Sequence, residues 1–172
     1  MNTHPFFTIR RSYLVYKFSK LRTRALNDAY RSLVTGSKST LEVFPGSAQH
    51  IPPRLKVIGV QDIRVTEIVG TFNRDTDFDS QFRPLKRHSL DRWVNAHILH
   101  EQDGWSPILV HKVGERYFVE DGRHRVSVAR ATGLELIKAE VWEYDVQPKE
   151  TDACQLFSCC LENRPSEAYI TG

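Results

Sequence analysis

Apolar residues recur every three or four positions near the start of the chain: Leu14, Phe18, Leu21, Ala25, Ala29 and Leu33. Lys17, Lys20, Arg22, Arg24 and Arg31 fall mostly off that line. The spacing predicts an amphipathic helix over residues 8–35. Gly36-Ser37-Lys38-Ser39-Thr40 ends it, and Gly46 and Pro52-Pro53 punctuate the linker that follows. From Leu55 the pattern shortens. Val57-Ile58-Gly59-Val60 and Ile63-Arg64-Val65 predict a strand, with Thr66 to Gly70 behind it, and Thr71 to Asp79 reads as a polar turn-rich stretch. Ser89 is the expected N-cap of a helix running to about His100, with Leu90, Trp93, Val94, His97 and Ile98 on its buried face. Ile108 to Lys112 and Tyr117 to Val119 flank Val113-Gly114-Glu115-Arg116 as a hairpin. A helix from Arg123 to Thr132 and an alternating strand from Ile137 to Val141 complete the body. Beyond Pro148 the pattern weakens to a short helix over residues 150–162 and a tail.

Short strands mixed with single helices predict an α+β fold, a small mixed sheet with flanking helices, preceded by a basic amphipathic helix. The expected divisions are an arm and linker over 1–54, a body over 55–146 and a C-terminal segment over 147–172.

Charge changes this picture. Residues 1–56 carry ten Lys/Arg against two acids, +8; residues 57–172 carry fourteen against nineteen, −5; the sum is the net +3. A basic arm over residues 10–31 on a mildly acidic body can bind DNA, an acidic protein, an anionic membrane surface, a second copy of the chain, or the body itself. No run reaches the roughly 18 apolar residues of a membrane span. The three cysteines, Cys154, Cys159 and Cys160, are odd in number and clustered. They predict neither a disulfide framework nor, lacking paired C-x-x-C spacing, a zinc site, and the expected compartment is a reducing cytoplasm.

The candidate chemistry lies between Tyr117 and Val141. A strand breaks at Glu120-Asp121-Gly122, and a basic helix start, Arg123-His124-Arg125, follows at once. Free N–H groups and the dipole at a helix start favour anions, and glycine lets a ligand approach the backbone. A phosphate is therefore the expected ligand class.

Around this turn the body resembles the ParB/sulfiredoxin superfamily in a set of ordered features over residues 57–144. Val65 to Arg74, ending in Asn73-Arg74, is placed like the family's N-terminal box. Pro107-Ile108-Leu109-Val110 is similar to its "P-I-x-V" segment, and Asp121-Gly122-Arg123-His124-Arg125 leading to Ala129 to its "G-x-x-R-x-x-A" box. Ile137-Lys138-Ala139-Glu140-Val141 sits where members have "I-P-A-x-V". Two departures narrow the implied function. Sulfiredoxins carry a cysteine where this chain has Arg123, so sulfinic-acid reduction is not expected. The 28 residues after Tyr144 are too few for the helix-turn-helix and dimerisation segments of chromosome-partition members. Leu161-Glu162-Asn163-Arg164 is similar to an "E-N-x-x-R" box, but Ser166 and Pro165 argue against it. The nearest form is the "D-G-H-H-R" turn of ADP-dependent free serine kinases.

The resemblance implies a nucleotide ligand (ATP, ADP or CTP) and gives each residue an expected role. Gly122 and the amides of Arg123 and His124 meet phosphates, Arg125 clamps one, and His124 donates to a phosphate or moves a proton. Asp121, with Glu120, holds Mg²⁺, and Arg74 with Asn73 approaches the same phosphates. Asp121 and His124 are the candidate catalytic pair for phosphate hydrolysis or transfer. Glu67 is a weaker candidate base, His97 and His100 a weaker metal pair, and His88 with Lys86-Arg87 an extension of the basic patch. Two other readings stay open: a non-catalytic DNA- or protein-binding module working through the arm, and a nuclease using Glu120 and Asp121.

Overall fold

The computed structural model describes residues 5–37, 39–45 and 54–145, and the expectations placed on residues 147–172 lie outside them. Helix α1 spans Pro5–Thr35, α2 Leu90–Gln102 and α3 Arg123–Thr132; the strands are β1 Glu42–Val43, β2 Arg54–Arg64, β3 Ile68–Thr71, β4 Ile108–Val113, β5 Arg116–Asp121 and β6 Leu136–Asp145. The six strands form one mixed sheet in the order β1-β3-β5-β4-β6-β2. β4 and β5 are the antiparallel hairpin, β4 runs parallel to β6 and β3 parallel to β5, while β2 lies antiparallel to β6 at the edge. The fold is α+β, with helices against the sheet and a long N-terminal helix.

Strand alternation sorts the sheet into two faces. Ile108, Val110, Val119, Ile137, Ala139 and Val141 pack under Val126 and Ala129 of α3 and form the main core with Val65, Ile68, Phe78 and Phe82. The opposite face carries an aromatic group. Phe72 stacks on buried His111 at 4.1 Å between centroids, and Phe44 meets Phe72, Phe118 and Tyr144 within 6 Å. Glu42 and Val43 are held by parallel pairing to Gly70 and Thr71. At Gly70 a Cβ would run into the Glu42 carbonyl, so the close approach of these strands requires glycine there.

The N-terminal helix is docked on the body. Leu14 and Phe18 are buried with Trp93, Val94, Ala96 and Val128 in a second core, where Phe18 meets the edge of the Trp93 ring at 5.8 Å. Arg10 bonds Glu101 (2.9 Å), Arg11 bonds Asp91 (2.6 Å) and Arg22 donates to the Leu85 carbonyl (2.9 Å). Near its C-terminus the expected face fails: Leu33 is 82% exposed and Ser32 takes the inward position. At this end of the 31-residue helix the inward line passes through Ser32 rather than Leu33.

Two other local expectations change. Ser89 occupies the N-cap position of α2 as expected, but a 3₁₀ turn over Arg87–Ser89 leads into the helix and the Ser89 hydroxyl makes no capping bond. In β2, Leu55, Val57 and Val60 are at least half exposed, and among the described residues the strand closes the sheet with no neighbour on its outer side. A bulge between Val57 and Gly59 bends that edge, a usual protection against edge-to-edge pairing. No described helix is long and apolar enough to cross a membrane.

Candidate functional site

β5 delivers the Asp121-Gly122 turn to the top of the sheet, where α3 begins. Gly122 is left-handed (φ 106°), and a Cβ there would collide with the Ile108 side chain. Glycine is thus required twice, by backbone conformation and by space. It also leaves α3 without a side-chain cap. The first amide to bond within the turn is that of Val126, to the Gly122 carbonyl at 3.0 Å. The amides of Arg123, His124 and Arg125 precede it, and such groups at a helix start have no intrahelical acceptor.

These residues line one wall of a cleft of about 610 Å³. The opposite wall is α2, through Arg92, Asn95, Ala96 and Leu99, and its end is closed by Gly104, Trp105 and Ser106. The volume lies within the range of small-molecule sites. Trp105 is held by a 2.7 Å bond from its indole N–H to the Ala96 carbonyl, and His100 stacks on it at 4.4 Å.

The turn residues divide into framework and free groups. Arg125 is framework. Its Nη1 donates to the Ser106 carbonyl (2.7 Å), the Ser106 hydroxyl (3.0 Å) and the Pro107 carbonyl (3.1 Å), and its Nη2 to Asp121 (2.5 Å). It ties the turn to the loop before β4, which leaves few donors for a phosphate. Arg123 pairs with the buried carboxylate of Asp75 yet stays 40% exposed. Arg92 makes no hydrogen bond or ion pair among the described residues, and Arg92 and Arg123 share the lining of the cleft. His124 packs edge-on to Phe78 at 5.2 Å, and its buried Nε2 has no hydrogen-bond partner among the described residues. Burial, and then the positive charges of Arg92 and Arg123, push its pKa down to about 4, against the opposing pull of Asp75 and Asp77. His124 is therefore a neutral imidazole at pH 7, and protonating it would add a third positive charge beside two arginines.

The remaining expected residues lie elsewhere. Glu120 and Asp121 leave opposite faces of β5. Glu120 accepts a 2.5 Å bond at the His111 Nε2 position on the aromatic face, where Tyr144 meets His111 Nδ1 at 3.0 Å. The two carboxylates do not converge on one ion. Asn73 and Arg74 sit in the exposed turn after β3, outside the cleft lining; the Asn73 carbonyl accepts from the Thr71 hydroxyl at 2.7 Å. Glu67 is also outside it, 3.7 Å from Arg64. His97 is buried in the seam between α1 and α2 and His88 pairs with Asp77 at 3.0 Å. Among the described residues no three His, Cys, Asp or Glu side chains cluster to hold a metal. Asp121 is the one carboxylate in the cleft lining and is largely exposed. It fits Mg²⁺ only in the mode where phosphate oxygens and water supply most of the shell.

Sequence reasoning missed Arg92 and Asn95. Their signal was present, since positions 92, 95, 96 and 99 are spaced as one helix face, beside the more conspicuous apolar one. Of the arm's cations, Arg10, Arg11, Arg22 and Arg31 are engaged by Glu101, Asp91, the Leu85 carbonyl and Asp28. No family model matches the chain, and no curated protein matches it significantly.

Proposed function

We propose that the cleft between α2 and the start of α3 binds the phosphate of a nucleotide, and that the chain is a nucleotide-binding protein of the ParB/sulfiredoxin type. The observation that carries the reading is the convergence of Arg92, Arg123 and neutral His124 on an uncapped, glycine-led helix start. The amides of Arg123 and His124 donate to phosphate oxygens, and Arg92 and Arg123 neutralise their charge. The His124 imidazole donates or accepts one bond without a charge of its own. Arg125 positions the turn rather than gripping the ligand. Trp105, Ala96 and Leu99 offer the base an apolar wall at the far end.

Hydrolysis or transfer of the phosphoryl group is the activity this arrangement would serve, with Asp121 the residue that would hold Mg²⁺ against the phosphates. Such an ion would draw charge from the transferring group. The order of motifs along the chain supports the family assignment, and the α+β sheet is compatible with it.

The test is titration calorimetry with ATP, ADP, CTP and GTP, with and without Mg²⁺, on the full chain and on an Arg92→Ala/Arg123→Ala double variant. Binding by the wild type, weakened at least about tenfold in the double variant, is expected. Absence of binding to the wild type, or equal binding by both, refutes the reading.

A further inference from the structure

A second cleft, of about 540 Å³, opens at the other end of α3. Its walls are largely apolar: Leu21 from α1, Val65 from the 3₁₀ turn before β3, and Ala131, Gly133 and Leu134 from the end of α3. Two arginines reach it, and they differ in one respect. Arg83 is fully neutralised, with Nε 2.7 Å from Asp79 and Nη1 2.8 Å from Asp28.

Among the described residues Arg130 has no carboxylate partner. Its Nη2 donates to the Ile68 carbonyl at 2.5 Å and lies 3.4 Å from the Val65 carbonyl, and its guanidinium lies 4.9 Å above the Phe82 ring. The Nε and Nη1 donors bond to nothing among the described residues. The acid whose charge most influences it, Asp79, is already saturated: it accepts from the Gln81 and Arg83 amides and pairs with the Arg83 side chain. Phe82 is held beneath the guanidinium in a left-handed conformation (φ 56°), an arrangement rare for a bulky residue.

A part-buried guanidinium with two idle donors, in an apolar cleft, lacks only an anion. Nε–H and the Nη1 hydrogens lie on different edges of the guanidinium, so each meets one oxygen; a carboxylate oxygen suits such a single contact, whereas the surrounding walls would leave most oxygens of a phosphate without partners. We propose that this cleft binds a small monocarboxylic acid with an apolar body, its carboxylate on Arg130 and its body against Leu21, Val65 and Leu134. The lining includes α1, so the ligand would bridge the N-terminal helix to the body and bind best when α1 is docked. Glu135, also in the lining, would disfavour ligands with a second negative charge.

The experiment is a titration of the full chain with benzoate, followed by ¹H–¹⁵N NMR including the arginine Nε–H signals, with neutral benzamide as the matched control. Benzoate should shift Arg130 Nε–H and the amides of Ala131 to Leu134, and bind at least about tenfold more tightly than benzamide. Arg130→Met should abolish that preference. Since Arg130 also holds two carbonyls, a second variant leaves it intact: Thr66→Trp, at the exposed lip, should block binding with the fold unchanged. Equal binding of benzoate and benzamide, no binding to the wild type, undiminished binding by Thr66→Trp, or shifts confined to Asp121–Arg125 would each overturn the proposal.

Discussion

Ser89 stands immediately before α2, but its hydroxyl is buried and bonds to nothing among the described residues. A serine that caps a helix loses about 1 kcal/mol on replacement by alanine. A buried hydroxyl without a partner costs about as much as it stays. Ser89→Ala is therefore expected to raise stability by about 1 kcal/mol, measured by urea denaturation, and a loss of that size would restore the cap. Gly122 gives the opposite sign. Gly122→Ala combines a left-handed backbone penalty with a collision against Ile108, and a loss of about 2–4 kcal/mol is expected in the same assay. His124 adds a pH dependence. Its folded pKa, about 4, lies below the unfolded value, so the unfolded chain binds the proton first as pH falls. The contribution of its neutral burial is complete above about pH 6.5 and lost progressively between there and pH 4. Its size is about 2 kcal/mol at most, because the ring is partly exposed and screened. The comparison is wild type against His124→Gln across pH 4–7, where the variant should show the shallower fall.

At the scale of elements, α1 is held by a few buried side chains and a row of surface ion pairs, and the two differ in energy. Exposed pairs such as Arg11–Asp91 contribute at most about 1 kcal/mol each. Removing the Phe18 ring from beneath Trp93 should cost about 3–4 kcal/mol. Phe18→Ala is thus expected to release α1, seen as faster amide hydrogen exchange over its middle turns while β4 to β6 stay protected. The helix itself was legible because its apolar line has one period over several turns. Its end was not, because Leu33 and Ser32 are neighbours in sequence and the apolar spacing does not say that the inward line passes through Ser32 there. The β4–β5 hairpin and the Gly122 turn were also legible, from a glycine turn between two apolar runs and a glycine before a basic start. Strand alternation already implied that Glu120 and Asp121 face apart; pairing them as metal ligands ignored the period of two. The edge position of β2 was not readable, since Leu55, Val57 and Val60 have the composition of a buried strand and only the pairing order exposes them. Nor was the partnering of Arg125 with the Ser106-Pro107 loop, a contact across 19 positions that no local pattern encodes.

The charge division of the whole molecule has a physical reading that bears on DNA. Residues 10–31 hold seven cations: Arg10, Arg11, Lys17, Lys20, Arg22, Arg24 and Arg31. Four are engaged: Arg10 and Arg11 by Glu101 and Asp91 of the body, Arg22 by the Leu85 carbonyl and Arg31 by Asp28 of α1 itself, so part of the asymmetry is the arm and the body attracting each other. Lys17, Lys20 and Arg24 remain without a carboxylate or hydrogen-bond partner among the described residues, Lys17 lying 5.8 Å over the Tyr13 ring. Each phosphate neutralised on duplex DNA contributes about −0.9 to the slope of log K against log salt. An arm that binds DNA while docked should therefore give a slope no steeper than about −3, whereas one that leaves the body with all seven cations would approach −6. Undocking would also expose Trp93, Val94, Ala96 and Val128, which are buried under α1. Deleting the arm is consequently a poor control, because loss of binding and loss of the second core would coincide. Lys17→Gln/Lys20→Gln/Arg24→Gln leaves that core intact, and it should abolish DNA binding by the docked arm while leaving nucleotide binding at the α3 cleft within about twofold of wild type. DNA binding that survives the triple substitution with a slope of about −4 would mean that the arm works undocked, through the four cations that are otherwise engaged.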